Sequence, residues 1–290
     1  MVDFRAVGIT GVSSFVPERV VTNDDIVKMG VDTSDEWIRT RTGISERRWA
    51  NENQATSDLA TEAAKKLLKQ KGMKPEEIDL IIVATCSPDT ITPSTACYVQ
   101  HKLGAVNAGA VDVNNACSGF NYSLAMASKF VADSTYNNVL LIGAECPSKF
   151  LSKNERTTFI FFGDGAGAVL LQPVDEGYGV LSSYLRADGA GAEKLIVPQG
   201  GTAKPIKLEN YSEKTFTGQP MTIKMDGRGV WEFAMNAIPD AIKNCTEKAG
   251  LKIDDIDFFI FHQANLNIIH ESMKNLGLPL TKLKNSRPLY

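Results

Sequence analysis

No apolar run in the chain approaches the roughly 18 residues that a bilayer-spanning helix needs, which excludes a helical membrane protein. The opening MVDFRAVGITGVSSFVPERV has neither a basic leading region nor a continuous apolar segment, so no secretory signal is expected and a cytoplasmic location follows. Cysteines are few, at 86, 97, 117, 146 and 245, odd in number and without close pairs. Neither a disulfide framework nor a CxxC metal site fits that spacing, and no metal or cofactor is expected. Histidine is scarcer still, with three residues in 290. Charge of one sign is missing too: 31 basic against 34 acidic side chains, net −3, give no global pull toward nucleic acid or an anionic membrane. What remains, 43% hydrophobic and 22% charged residues, is an ordinary globular composition long enough to bury a substantial core.

Four strand-like runs recur: IDLIIVAT (78–85), AGAVDVN (108–114), NVLLIGAE (138–145) and GAVLLQP (167–173). Helical patterns lie between them; over 58–70, Leu59, Ala60, Ala63, Ala64, Leu67 and Leu68 fall on one face. Strands apolar throughout and alternating with amphipathic helices predict an α/β protein whose sheet is covered on both faces. The stretch 187–220, rich in Gly, Ala, Thr and Pro, reads as a long surface excursion.

The chain also repeats itself. KGMKPEEIDLIIVAT (71–85) and AGLKIDDIDFFIFHQ (249–263) share Gly, Lys, two acids, Ile-Asp and an apolar strand, each position 178 further on (249 against 71). Each copy follows an amphipathic helix, the second with Pro239 inside it, and each precedes a helical segment ending in Leu-Gly, at 103–104 and 276–277. This order predicts two similar halves, 1–175 and 176–290. After Gly104 the first half continues through further strands and a helix, whereas only LPLTKLKNSRPLY follows Gly277, so the second half is expected to be incomplete.

Cys117, in VDVNNACSGFNYSLAMASKFVAD, stands where a strand gives way to a helix that starts at Ser118 and carries Phe120, Leu124, Ala127 and Val131 on one side. A helix N-terminus favours a nucleophilic thiolate and offers backbone N–H groups to an oxyanion, and Gly119 lets the backbone pack closely. Residue composition alone fits a small buried cysteine equally well. His262 ends the strand FFIF, at the repeat position of Ala84, and a polar HQAN cluster there is where open α/β sheets place active sites. Together the two suggest a Cys/His site, against the alternative of a hydrogen-bonded core histidine. His101 and His270 fall within amphipathic helices and read as structural. GDGAGA (163–168) leads into a strand, not a helix, and therefore reads as a tight turn and not a phosphate loop. EWIRTRTG (36–43) sets Trp37, Arg39 and Arg41 in a polar stretch, which suits either a nucleotide-like ligand or a solvated basic loop.

The words TSDEWIRTRTGISERR, ACSGF, ERTTFIFFGDGAGAVLL, ADG and HQANLNII, in that order over residues 1 to about 280, resemble β-ketoacyl-acyl carrier protein synthase III, a condensing enzyme of thiolase fold. The resemblance implies a layered αβαβα architecture from two fused halves and a homodimer. It implies that Cys117 takes an acyl group from an acyl-CoA primer. Malonyl-acyl carrier protein then loses CO₂ and attacks the acyl-cysteine, a step His262 assists by stabilising the enolate oxygen. Trp37, Arg41 and Arg156 match positions holding the CoA adenine and phosphates, and Asn265 matches one lining the pantetheine tunnel. Gln263, Ala264, Asn265, Leu266 and Asn267 match the carrier-protein contact segment. Thr92 matches an acyl-pocket position that is often Phe, so longer or branched primers are expected.

The chain departs from that family's pattern in three places. The Asn of a GNTSAAS-like motif is absent, and Asn285 in KNSRPLY has no such context. Glu232 stands where relatives often carry a docking Lys, and Asn267 where they often carry Arg. The two substitutions predict weaker docking of an acidic carrier protein, and the missing Asn predicts a chain that self-acylates but does not condense efficiently. A non-condensing acyl-CoA-binding subunit, or a related condensing enzyme with a non-carrier acceptor, are the alternatives.

Overall fold

The computed structural model describes residues 4–206 and 221–283. Its strands are β1 (Val7–Phe15), β2 (Val20–Thr22), β3 (Glu46–Arg48), β4 (Leu80–Ala84), β5 (Gly109–Val113), β6 (Val139–Glu145), β7 (Gly165–Pro173), β8 (Leu195–Ile196) and β9 (Lys224–Met225). Its helices are α1 (Asn23–Lys28), α2 (Asp35–Thr42), α3 (Thr56–Lys71), α4 (Thr95–Leu103), α5 (Gly119–Ala132), α6 (Arg156–Phe159), α7 (Gly227–Lys248) and α8 (Leu266–Asn275). They fall into two compact units, each discontinuous in sequence. The first comprises Met1–Arg19, Arg48–Cys146 and Asp164–Leu185; the second Val20–Arg47, Pro147–Gly163 and Arg186–Tyr290.

The four apolar runs become β4 to β7, and the first unit is built on them. Strand order is β1-β7-β6-β4-β5, with β4 parallel to both β5 and β6, and β7 antiparallel to β6 and β1. Every residue of β4 is buried, as a strand covered on both faces requires. Ile81 and Val83 point into one core with Leu59, Ala63, Leu67 and Leu140, against α3 and α4. Leu80 and Ile82 point into the other with Ala127, Val131 and Leu141, against α5. Phe120 and Leu124 flank that second core, so the helical face expected after Cys117 is the one buried. Strand β1 escaped the sequence reading because its Gly, Thr and Ser residues dilute any apolar run. Its Gly11 lies close under α3: a Cβ there would come within 2.9 Å of Leu67 Cδ1, which would have to shift.

Of the Gly-rich GDGAGA, Gly165–Ala168 already belong to β7, where they pair with β1 and β6, so the expected turn shrinks to Gly163 and Asp164. The buried Asp164 carboxylate accepts the Ala50 N–H at 2.6 Å, tying that turn to the chain after β3.

In the second unit α7 continues through Pro239, and α8 packs Ile269 and Met273 inward. The sequence repeat reappears here as geometry. Gly72 (φ 64°) and Gly250 (φ 70°) end their helices in the left-handed region. Lys74 N–H donates to Glu77 Oε2 at 2.6 Å, and Lys252 N–H to Asp255 Oδ2 at 2.8 Å, around matching 3₁₀ turns. The likeness stops at the strand. FFIF, expected as a strand, has one isolated parallel bridge, Phe259 to Leu283, among the described residues. A strand is defined by its ladder, and here a single pair of residues supplies it. Of 187–220, residues 207–220 lie outside the described residues, as does Asn285. Among the described residues no helix is long and apolar enough to cross a membrane.

Candidate active site

Strand β5 ends at Val113, and the chain turns through a 3₁₀ segment, Ala116–Ser118, into α5. Ala116 has φ 45°, in the left-handed region, where a side-chain-bearing residue is strained by about 1–2 kcal/mol. Such strain collects where a turn must aim a functional group, and the residue it launches is Cys117. The helix begins at Gly119, one residue later than the pattern suggested. A methyl on Gly119 would meet Ala84 Cβ at 3.4 Å, an ordinary contact, so the glycine is compatible with close packing without being dictated by it. Asn115 Nδ2 donates to Ser118 Oγ at 2.9 Å, closing the turn around the cysteine.

Cys117 is an exposed residue, yet the crowding of protein around its thiol raises the pKa, and the nearby Glu145 carboxylate pushes the same way. Glu145 is the last residue of β6 and was not among the residues singled out from sequence. Its carboxylate gathers the turn after β4: it accepts from Cys86 N–H at 2.8 Å, from Thr85 Oγ1 at 3.3 Å and from the Ser87 hydroxyl. Ser87 Oγ in turn accepts the Cys146 N–H at 2.8 Å. Cys86 therefore sits on an ordered turn, with its thiol pKa raised by desolvation and by Glu145. Only a strand terminus carrying a carboxylate signalled this, and no periodicity rule converts that into three hydrogen bonds.

The second unit holds the remaining residues. His262 is exposed in a non-repetitive segment, and desolvation by the protein around it lowers its pKa, which favours the neutral imidazole. Asn265 caps α8, its side-chain oxygen accepting Asn267 N–H at 2.8 Å. Asn267 Nδ2 donates to Arg41 O at 3.0 Å, which joins the start of α8 to the end of α2. Gln263, Ala264 and Leu266 are half-buried around that cap.

EWIRTRTG forms α2 and not a loop. Ser34 caps it by accepting Trp37 N–H at 3.1 Å, and Gly43 ends it at φ 82°. The Arg156 guanidinium lies 4.9 Å from the Trp37 ring centroid, and its Nη1 donates to Asp32 O at 2.9 Å. Arg41 is exposed. In the first unit, Thr92 is exposed and precedes a cis bond to Pro93. Among the described residues no group of three or more His, Cys, Asp or Glu side chains is placed to hold a metal.

Comparison with known proteins gives the same picture. The family 3-oxoacyl-[acyl-carrier-protein (ACP)] synthase III matches residues 111–189, and its C-terminal counterpart matches 246–286. The beta-ketoacyl-[acyl-carrier-protein] synthase III of Caldanaerobacter subterraneus subsp. tengcongensis is 50% identical over 278 residues, 96% of this chain and 82% of that protein. That of Clostridioides difficile is 48% identical over 95% of this chain and 82% of its own length. The crystal structure of 3-oxoacyl-[acyl-carrier-protein] synthase III from Aquifex aeolicus VF5 superposes with a TM-score of 0.86 at 37% identity, covering 98% of this chain and 85% of that one. With a thiolase-like α/β fold and identity of this extent, the chain belongs to the 3-oxoacyl-[acyl-carrier-protein] synthase III family.

Proposed function

We propose that the protein is an acyltransferase that starts fatty-acid synthesis by condensing an acyl-CoA primer with malonyl-acyl carrier protein through an acyl-cysteine at Cys117. The observation that carries this reading is the strained turn at Ala116 that sets Cys117 at the N-terminus of α5. In the first step the Cys117 sulfur bonds the acyl carbonyl carbon, the bond from that carbon to the CoA sulfur breaks, and the thiol proton leaves with CoA. The positive end of the α5 dipole suits the oxyanion formed on the way and opposes the raised thiol pKa.

In the second step malonyl-acyl carrier protein loses CO₂, and the carbanion attacks the acyl-cysteine, releasing the thiolate and the 3-ketoacyl product. A neutral His262 keeps an N–H to donate to the enolate oxygen, consistent with its lowered pKa. Trp37 and Arg156 suit the adenine and phosphates of CoA as an indole face and a facing guanidinium, and Arg41, an exposed cation in the last turn of α2, is assigned with them. We assign Asn265 to the pantetheine path and residues 263–267 to carrier-protein contact. Thr92 is assigned to the primer pocket.

The repeat divides the chain, in this reading, into 1–175 carrying the nucleophile and 176–290 carrying the histidine. A cytoplasmic homodimer is the expected form. The edge position of β5, with Val111 44% exposed, supports pairing with a second copy. Intact-mass measurement after mixing with acetyl-CoA tests the first step: one acyl group should be gained, and none in Cys117→Ala. No gain in the native chain would overturn the proposal.

A further inference from the structure

Arg47 is fully buried, 0% exposed, and burial pulls its guanidinium pKa down to about 10. Among the described residues no carboxylate is hydrogen-bonded to it in return. Nη1 donates to Val21 O at 3.2 Å, both Nη atoms donate to Asn23 Oδ1 at 2.9 Å, and Nη2 donates to Ile160 O at 2.8 Å. Nε has no partner. Burying a cation among neutral oxygens is unfavourable, so these contacts call for an explanation beyond packing.

The explanation lies in what its partners hold. Asn23 is itself 1% exposed and grips α2 at both ends. Its Nδ2 donates to Asp35 Oδ1 at 2.8 Å in the first turn and to Ile44 O at 2.9 Å just past the last. Asp35 in turn receives Arg39 Nε at 2.7 Å. Ile160, whose carbonyl takes the other arm of Arg47, is the residue that ends α6. Trp37 rides on α2 and Arg156 opens α6, so one guanidinium fastens the two elements whose side chains stack at 4.9 Å. A planar fork with several donors can hold two backbone segments in fixed relation, which a flexible ammonium cannot.

We propose that the buried Arg47–Asn23 pair is a positioning device for the Trp37–Arg156 clamp, setting affinity for the nucleotide end of the CoA thioester and not the rate of chemistry at Cys117. This rests on the assignment of Trp37 and Arg156 to the CoA adenine, and the test separates the two. Acylation is measured with acetyl-CoA and with acetyl-N-acetylcysteamine, a thioester without the nucleotide.

Trp37→Ala is run first. A raised KM for acetyl-CoA with an unchanged rate on the truncated thioester supports the clamp, and equal behaviour on both substrates ends that assignment on its own. Asn23→Ala should then raise KM for acetyl-CoA about tenfold, the scale of a lost cation–ring contact, and leave the truncated thioester untouched. Asp35→Ala, at a half-exposed position, should give the same split more weakly and keeps the test open if Asn23→Ala does not fold. If both variants slow the two thioesters equally, or neither changes KM while Trp37→Ala does, the positioning role is wrong.

Discussion

Ile82 and Ile260 occupy the same position in the two copies of the repeat, yet the first is 1% exposed and the second 85%. The turns that lead into them carry the same hydrogen bonds, from Lys74 N–H to Glu77 and from Lys252 N–H to Asp255. Beyond the turn, β4 is flanked by β5 and β6, while the stretch around Ile260 has one bridge at Phe259. Local chemistry writes a turn in a few residues. A strand needs neighbours, and these differ between the copies.

The sharpest way to break this comparison is to truncate both side chains. Ile82→Ala should cost about 2–5 kcal/mol, the usual range for emptying a packed core site, whereas Ile260→Ala should stay within about 0.5 kcal/mol. Urea midpoints for the two variants would read this directly. Equal losses would mean that Ile260 is covered in solution and that the two copies are more alike than the structure has them.

The comparison extends to the repeat positions of Ala84 and His262. Ala84 ends a buried strand, while His262 brings a titratable group to an irregular segment. Replacing His262 with Ala should lower condensation about 10²–10³-fold, the range for losing one donor to a developing oxyanion, while self-acylation with acetyl-CoA persists. Loss of self-acylation as well would show that the histidine acts at the first step.

The His262 imidazole should also titrate below 6.5, followed by its proton resonances. Because the folded-state pKa lies below the unfolded one, the unfolded chain binds the proton first. Stability from this group is then complete above pH 6.5 and is lost as pH falls toward the folded pKa. A midpoint at or above 6.5 would contradict the desolvation assigned to it.

The smallest effect concerns the primer. With Thr92 in place of an aromatic ring, isobutyryl-CoA or butyryl-CoA should compete with acetyl-CoA for Cys117, and Thr92→Phe should shift the balance back. A clear preference for acetyl-CoA in the native chain would mean that neighbouring side chains refill the space.

Much of this was legible in the sequence, for definite reasons. Strands β4, β6 and β7 showed as apolar runs because a strand buried on both faces has no polar side, and α3 showed because its buried residues recur at helical spacing. Cys117 showed because a strand-to-helix turn is local. FFIF misled because an apolar run announces burial without supplying a partner. Strand β1 was missed because it is held by antiparallel pairing to β7, remote in sequence, and not by its own residues.

The sequence by itself determined the apolar segments, the caps, the repeated turn and the strand-to-helix turn at Cys117, since each depends on residues within a few positions of one another. Only the tertiary structure decided that Glu145 gathers the turn holding Cys86, that Arg156 stacks on Trp37, and that an arginine in the polar run RTRTGISERR is buried to hold them. Those contacts join residues far apart in the chain, and a hydrogen bond or a ring contact depends on distances of a few ångströms that only the packed fold can set.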